Sequence, residues 1–209
     1  MMKLQVALDR ISLDEAIKLS TKLNGNVDII EIGTSLIKDY GNSAIEKIAE
    51  VTSDSKILVD SKTIDEGAYE FNQAFRHGAD IVTVMGAASY QTLEACYEVA
   101  QQYNGTMMID LLNLSHKQIA AIDNFSEAVY LIHHSVDANE KVSAIAEIEE
   151  FHSLHEHVEH IAIAGGIDYK ATSEISQQNL ADIVVVGSKI TTSKNIIETA
   201  KKFMEVLKA

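Results

Sequence analysis

Short apolar runs rich in β-branched residues recur along the chain at intervals of about 25 residues. They are too short for buried helices and too continuous for half-exposed strands. The eight runs read KLQVALD, VDIIEIG, KILVDS, DIVTVMG, TMMIDLL, AVYLIHH, HIAIAGG and DIVVVGS. We predict that each run forms a buried β-strand.

The segments between these runs have apolar residues at three- and four-residue steps, which is the spacing of an amphipathic helix. Examples are SLDEAIKLSTKL, NSAIEKIAEV, DEGAYEFNQAFRHG, SYQTLEACYEVAQQY and NIIETAKKFMEVLKA. Buried strands that alternate with helices imply parallel pairing through right-handed crossovers. Eight such units are enough to close a barrel. The predicted fold class is therefore α/β, a single (β/α)8 TIM barrel over residues 1–209.

An open doubly wound sheet is the alternative fold. Its best-known signature, a GxGxxG segment after the first strand, is missing from this sequence. The phrases HGADIVTVMG and NLADIVVVGS resemble each other and lead into the fourth and eighth predicted strands. They are compatible with two related half-barrels.

Charge and hydropathy restrict the classes of partner. The 209 residues carry a formal net charge of −14 without a cluster of lysine and arginine, which argues against nucleic acid or an anionic membrane as partner. No segment approaches the roughly 18 apolar residues that a membrane helix needs, and the first residues lack a cleavage site. We therefore expect a soluble, cytoplasmic protein.

Two sequence features are expected to be chemically silent. Cys96 is the single cysteine and has no partner for an internal disulfide, which fits a reducing compartment and an inert thiol. The segment FHSLHEHVEH carries four histidines, but their spacing does not match a zinc-protease motif. We expect it to be a solvated helix end.

Charged side chains stand near the C-terminal ends of the predicted strands, where barrels carry their catalytic groups. The residues are Asp9, Glu31, Asp60, Lys62, Asp110 and His133. One such residue alone is often a helix cap or a structural side chain, but six at one level of five strands point to an active site. Carboxylates that converge in a partly dry pocket must take up protons or bind a cation. Lys62 supplies one positive charge, and the remaining excess predicts a hard divalent cation such as Mg²⁺.

The ends of the seventh and eighth strands have a different character. AIAGGI and VVVGSKI present glycines and backbone N–H groups at the position where barrels commonly bind phosphate. Gly165, Gly166, Gly187 and Ser188 would let a phosphate approach the backbone, and Lys189 would add a charge. The alternative is that the glycines serve tight turns alone.

The segment VDSKTID at residues 59–65 has a D-x-K-x-x-D spacing and resembles the orotidine 5'-phosphate decarboxylase suprafamily. LQVALD, VDIIEIGTSLI, GADIVTVMG, IHHSVDA and AIAGGI resemble, in order, its 3-hexulose-6-phosphate synthase branch. The resemblance adds Asp65 to the active-site set and implies that it reaches the partner subunit's site in a homodimer. It also implies that Glu31 and Asp60 are the ligands of Mg²⁺ or Mn²⁺.

The activity that this resemblance implies is that of an aldehyde-lyase. Formaldehyde would condense with D-ribulose 5-phosphate through an enediolate, giving D-arabino-hex-3-ulose 6-phosphate. In that reading His133 is the base and Lys62 stabilises the developing oxyanion. Asp9 and Asp110 would orient Lys62 and the substrate hydroxyls.

The sequence departs from the branch at several positions. The synthase pattern after the histidine is T-G-Y-D, whereas residues 134–137 read HSVD, and many relatives carry an arginine in place of Ser188. The related 3-keto-L-gulonate 6-phosphate decarboxylases have a glutamate and an arginine where this chain has Asp110 and Val136. Two alternatives therefore stay open: decarboxylation through the same enediolate, and a catalytically silent barrel that only binds a sugar phosphate.

Overall fold

A computed structural model describes residues 2–134 and 143–208 of the chain. Eight parallel strands pair in sequence order and close a barrel through the pairing of the last strand with the first. The strands are β1 (Lys3–Leu8), β2 (Ile29–Ile32), β3 (Lys56–Thr63), β4 (Ile81–Met85), β5 (Thr106–Asp110), β6 (Val129–His133), β7 (His160–Ala164) and β8 (Ile183–Val186). The predicted (β/α)8 barrel is confirmed, and each of the eight apolar runs forms its strand.

Helices follow the strands and form the outer layer. They are α1 (Leu13–Leu23), α2 (Thr34–Tyr40), α3 (Asn42–Ala49), α4 (Gly67–Arg76), α5 (Tyr90–Gln102), α6 (His116–Ile119), α7 (Ala144–Leu154), α8 (Tyr169–Gln178), α9 (Ser188–Thr191) and α10 (Ile196–Lys208). The five helical segments quoted from the sequence correspond to α1, α3, α4, α5 and α10. The short helices α2, α6 and α9 are not among the quoted segments, because so few residues do not show a helical period.

Alternate residues of each strand face opposite sides of the barrel wall. On β1, Leu4, Val6 and Leu8 pack in the core between strands and helices. A second apolar cluster fills the barrel interior; it comprises Ile29, Leu58, Ile81, Met108, Val129, Leu131, Ala162, Ala164, Ile183 and Val185. Residues two positions after several of these also face inward, nearer the C-terminal ends of the strands. The strand alternation thus places Glu31, Asp60, Asp110 and His133 above the apolar filling.

Aspartates at the N-terminal edge of the barrel bind the backbone of a neighbouring strand. Asp80, which precedes β4, accepts a hydrogen bond from the Ile57 N–H at 2.8 Å. Asp182, which precedes β8, accepts one from the Ile161 N–H at 3.1 Å. These aspartates belong to the two repeated phrases of the sequence, so the phrases have the same structural role. They satisfy strand-end donors at the end of the barrel opposite the site.

The expectation from the sequence fits Cys96 but fails for part of the histidine-rich segment. Cys96 is buried, and burial, with Glu70 nearby, raises the pKa of its thiol to about 12, which fits an inert thiol. The expectation of a solvated helix end is wrong at His155, which is only 2% exposed. Its ring nitrogens contact Asp123 and His116, both at 3.2 Å, so it is part of a packed polar chain.

Within residues 2–134 and 143–208, every helix is too short or too polar to span a bilayer.

Candidate active site

Asp110, the last residue of β5, is the centre of the site. Its side chain is fully buried, and its Oδ2 accepts hydrogen bonds from Lys62 Nζ at 2.7 Å and from His133 Nδ1 at 2.9 Å. Its Oδ1 accepts a third hydrogen bond from the Leu112 N–H at 2.9 Å. Because Nδ1 of His133 donates to Asp110, its Nε2 is the ring nitrogen left to accept a proton.

The charges of this network stabilise each other. Burial alone would raise the pKa of Asp110, but the hydrogen bond and charge of His133, together with Lys62, bring that pKa below its usual value. Burial likewise opposes the charge of Lys62, but Asp60 and Asp110 outweigh it and raise the pKa of the ammonium. The site therefore holds an ammonium and a carboxylate beside an oriented imidazole.

Asp60 on β3 is fixed by three donors. Its Oδ1 lies 3.2 Å from Lys62 Nζ and accepts from Thr83 Oγ1 at 2.9 Å, and its Oδ2 accepts from Thr34 Oγ1. A carboxylate offers about four lone-pair positions, so one remains for a further ligand. Neither threonine stands out in the sequence, because threonine is common in and after β-strands.

The end of β3 is irregular, and this irregularity directs Lys62. The pairing with β4 shifts register between Val59 and Thr63, and Lys62 has a positive φ of 50°. Its backbone N–H donates to Thr83 Oγ1 at 2.9 Å. The lysine side chain thereby spans β4 and reaches Asp110 on β5, while it still contacts Asp60 on its own strand.

Glu31 on β2 is a buried carboxyl group with few partners. It is 7% exposed, and its Oε2 accepts a hydrogen bond from Gln5 Nε2 at 2.6 Å. Burial and the neighbouring Asp60 raise the pKa of Glu31 to about 8, against the hydrogen bond of Gln5; Asp9 adds to the increase. Gln5 was not among the predicted site residues, although its inward position in LQVAL distinguishes it from its apolar neighbours.

Asp9, which follows β1, lies against the start of α2. Its Oδ1 accepts from the backbone N–H of Ser35 at 3.2 Å and from Ser35 Oγ at 2.7 Å. A Cβ at Gly33 would overlap the Asp9 carboxylate, so the absence of a side chain at Gly33 makes room for it. Of the two aspartates expected to orient Lys62, only Asp110 makes this contact among the described hydrogen bonds.

The carboxylates fit a hard divalent cation. Glu31 and Asp60 offer carboxylate oxygens of the kind that Mg²⁺ prefers, and a cation would counteract the burial and the repulsion by Asp60 that raise the pKa of Glu31. No group of three or more His, Cys, Asp or Glu side chains in ligand geometry occurs in the described part of the chain. A cation here would thus depend on two protein ligands plus water and substrate, which is the usual manner of binding Mg²⁺.

The predicted phosphate glycines follow β7. Gly165 and Gly166 both have positive φ, 116° and 64°. A Cβ at Gly165 would lie 2.6 Å from His134 Cβ, whereas nothing lies within 4 Å of one at Gly166. Gly165 is thus required by a close contact and Gly166 by its backbone conformation.

The neighbouring turn after β8 is more open. Gly187 precedes α9, and Ser188 and Lys189 lie in its first turn. A Cβ at Gly187 would meet no atom closer than 3.9 Å, so neither packing nor a positive φ requires glycine there. Since β7 and β8 pair, the two glycine turns lie side by side at the C-terminal edge of the barrel.

Asp65 lies outside this network. It is exposed, and its Oδ1 accepts from the Glu66 N–H at 2.8 Å. The large apolar side chains of Ile64 and Tyr69 beside it are 54% and 64% exposed. Ser135, Val136 and Asp137 lie outside the described residues.

The fold and this site define a class of protein. The chain belongs to the Orotidine 5'-phosphate decarboxylase / HUMPS family, which it matches over residues 2–203. It is 32% identical to the 3-hexulose-6-phosphate synthase of Bacillus subtilis (strain 168), with 99% of each sequence covered. The structure of 3-hexulose-6-phosphate synthase from Salmonella typhimurium superposes with a TM-score of 0.90 at 30% identity, covering 99% of this chain and 98% of that one. The 3-keto-L-gulonate-6-phosphate decarboxylase from Vibrio cholerae gives a TM-score of 0.85 at 25% identity, covering 99% and 97%.

Proposed function

We propose that this protein is a metal-dependent lyase of the 3-hexulose-6-phosphate synthase type. It would condense formaldehyde with D-ribulose 5-phosphate to give D-arabino-hex-3-ulose 6-phosphate. The observation that carries the proposal is the network in which Asp110 binds both Lys62 and His133 beside the carboxylates of Glu31 and Asp60. The similarity to proteins named as this synthase supports the choice of reaction.

The two glycine turns would hold the phosphate group. Backbone N–H groups near Gly165, Gly166, Gly187 and Ser188 are suited to an anion at close range, and Lys189 adds a positive charge. A phosphate at the β7 and β8 edge would direct the sugar carbons across the barrel mouth toward β3 and β5. The reacting carbons then lie near the acid–base groups.

Glu31 and Asp60 are the residues that would hold Mg²⁺ or Mn²⁺. When bound, such an ion supplies stabilisation of negative charge on substrate oxygens.

The residues of the chain account for the proton transfers. His133 Nε2 takes the proton from C1 of the sugar, while Asp110 holds the ring orientation and stabilises the imidazolium. The Lys62 ammonium stabilises the charge that develops on the substrate oxygen. The carbanionic C1 forms a bond to the formaldehyde carbon, and the new alkoxide takes its proton back from His133. All atoms of both substrates are retained in the product.

We further propose that the protein is a homodimer in which Asp65 completes the neighbouring site. Asp65 makes no contact with the Lys62 of its own chain among the described hydrogen bonds and ion pairs. The exposed side chains of Ile64 and Tyr69 surround it with apolar surface, as expected of residues that a second subunit covers.

The second candidate is decarboxylation of a 3-keto sugar-acid phosphate through the same enediolate. The structural similarity to the decarboxylase from Vibrio cholerae favours it. Both reactions use the same base and the same ammonium, so the network alone does not separate them. Release of carbon dioxide from the keto acid, without consumption of formaldehyde, would distinguish the decarboxylase.

The experiment that tests the proposal follows formaldehyde consumption with D-ribulose 5-phosphate. It is run with Mg²⁺, with Mn²⁺ and after chelation, with product identification by NMR. We expect activity with either metal and its loss in chelator. Full activity in chelator would contradict the role of the metal. Tight substrate binding without turnover under any metal would instead support a silent sugar-phosphate-binding barrel.

A further inference from the structure

Gln5 is a polar side chain in the barrel interior that the proposed mechanism does not use. It is in register with Ile29 of β2 and Val185 of β8, both members of the apolar cluster that fills the barrel. It is 1% exposed. A buried amide among apolar side chains is unfavourable unless its hydrogen bonds compensate for lost hydration. The contacts of this amide therefore identify its role.

The side-chain amide of Gln5 extends toward the C-terminal end of the barrel and contacts Glu31, a candidate metal ligand. Its Nε2 donates to Glu31 Oε2 at 2.6 Å, and this is the only hydrogen bond to the Glu31 side chain among the described residues. Ala7, the register partner of Glu31 on β1, has only a methyl group, which leaves space for the amide beside the carboxyl. Gln5 thus donates a hydrogen bond to one of the two carboxyl oxygens of Glu31.

The carbonyl oxygen of the Gln5 amide lacks a hydrogen bond within the described part of the chain. Gln5 Oε1 is buried and has no hydrogen-bond partner among the described residues. An unpaired buried acceptor destabilises a fold, and this cost offsets the stability that the hydrogen bond from Gln5 Nε2 to Glu31 contributes. The contribution of Gln5 must then be sought in Glu31 and not in the packing of the barrel.

We propose that Gln5 is a positioning residue for the divalent cation site. Its N–H group holds Glu31 by Oε2 and leaves Oε1 as the oxygen that would bind the divalent cation. This inference rests on the metal site of the proposed function and adds to it a residue that acts through Glu31. Partners that orient a ligating carboxylate are expected to affect metal affinity strongly.

The test measures Mn²⁺ binding to metal-free protein by electron paramagnetic resonance, without substrate, together with the melting temperature. The variants are Gln5→Leu and Gln5→Met, with Val185→Ala as the matched control from the same interior layer. We expect the Kd for Mn²⁺ to rise about 10- to 100-fold in both Gln5 variants. Their melting temperatures should stay close to that of the wild type, because removal of the unpaired Gln5 Oε1 offsets the lost hydrogen bond to Glu31. Val185→Ala should lower the melting temperature and leave the Kd unchanged.

The outcomes separate this inference from the proposed function. Unchanged Mn²⁺ affinity in the Gln5 variants overturns the inference and leaves the metal site standing. An equal loss of affinity in Val185→Ala overturns it as well, because any disturbance of the interior would then suffice. Failure of both Gln5 variants to fold also contradicts it, since no large loss of stability is expected. A wild type that binds no Mn²⁺ either in the absence or in the presence of D-ribulose 5-phosphate contradicts the metal-dependent function itself.

Discussion

At the scale of single residues, Asp110 contacts two candidate catalytic groups with one side chain. The same Oδ2 atom accepts from the Lys62 ammonium and from the His133 ring. Loss of its charge would therefore affect the proposed electrophilic group and the proposed base together. The fully buried carboxylate also depends on both partners, because an unpaired buried charge is costly.

Asp110→Asn should lower kcat by about 100-fold or more, since it removes the group that orients the base and pairs with the ammonium. The exchange of the C1 hydrogen with solvent deuterium, followed by NMR, should fall in parallel. Asp182→Asn is the control, because Asp182 binds the backbone of β7 at the opposite end of the barrel. Full exchange in Asp110→Asn would show that the base is oriented by other groups.

Glu31 gives a prediction for the pH dependence of stability in metal-free protein. Its pKa is about 8 in the folded chain, above the value of 4.5 for an unperturbed glutamate. Between these values the folded state keeps a proton that the unfolded chain has lost, so the free energy of unfolding falls as pH rises. The loss is complete above pH 8 and amounts to at most about 5 kcal/mol.

Glu31→Gln removes this titration. In chelator, denaturant unfolding of the variant and the wild type at pH 5 and pH 9 should therefore show the variant gaining relative stability at pH 9. The comparison between the two proteins cancels the other titrating groups. An equal pH dependence in both would mean that Glu31 ionises normally in the folded chain.

The residues of the site differ in how far the sequence predicts them. The strand-end acids, Lys62 and His133 were predicted because a charged residue at the end of an apolar strand is conspicuous. Thr34, Thr83 and Gln5 were missed, since their contacts to Asp60 and Glu31 depend on side-chain direction in the closed barrel. For Gln5 alone the sequence gives a sign, because its position in the alternation of LQVAL faces the barrel interior.

At the scale of elements, a substitution in the turn between β8 and α9 can test phosphate binding without a loss of stability. Gly187→Ala should fold normally, because its new methyl group would meet no atom closer than 3.9 Å. If the phosphate approaches the backbone here, the methyl group would obstruct it, and KM for the sugar phosphate should rise about tenfold. The measurements are the melting temperature, KM and inhibition by inorganic phosphate.

An unchanged KM for Gly187→Ala with normal stability would move the phosphate site away from this turn. Gly165→Ala is the contrasting variant. Its methyl group would overlap His134, so we expect a loss of stability irrespective of any ligand.

Strands with a continuous apolar pattern were predicted correctly, whereas a local irregularity of the backbone was not. The continuous apolar runs identified all eight strands, since strands buried on both faces have no polar alternation. The register shift at the end of β3 was not predicted, although it directs Lys62 toward Asp110. It coincides with the positive φ of Lys62, and the sequence gives no local sign of this conformation at a non-glycine residue.

At the scale of the whole molecule, the barrel brings side chains from β2, β3, β5 and β6 to one mouth. Their separation along the chain is large, and only closure of the sheet makes them neighbours. The proposed homodimer extends this principle to a second chain through Asp65. This proposal makes a quantitative prediction about mixed subunits.

Lys62→Ala and Asp65→Ala should each be nearly inactive alone. If Asp65 serves the partner's site, unfolding and refolding the two variants together should restore about a quarter of the wild-type sites, because mixed dimers contain one intact site. Refolding each variant by itself is the control. No recovery, with dimers present by light scattering, would place Asp65 in the site of its own chain.

The aspartates at the N-terminal edge have a practical consequence. Asp80 and Asp182 secure their neighbouring strands at the end of the barrel away from the candidate chemistry. Loops at the opposite rim can therefore be exchanged, for example to admit a bulkier aldehyde, without loosening these attachments. An engineering programme on this scaffold would randomise the upper loops and leave both aspartates untouched.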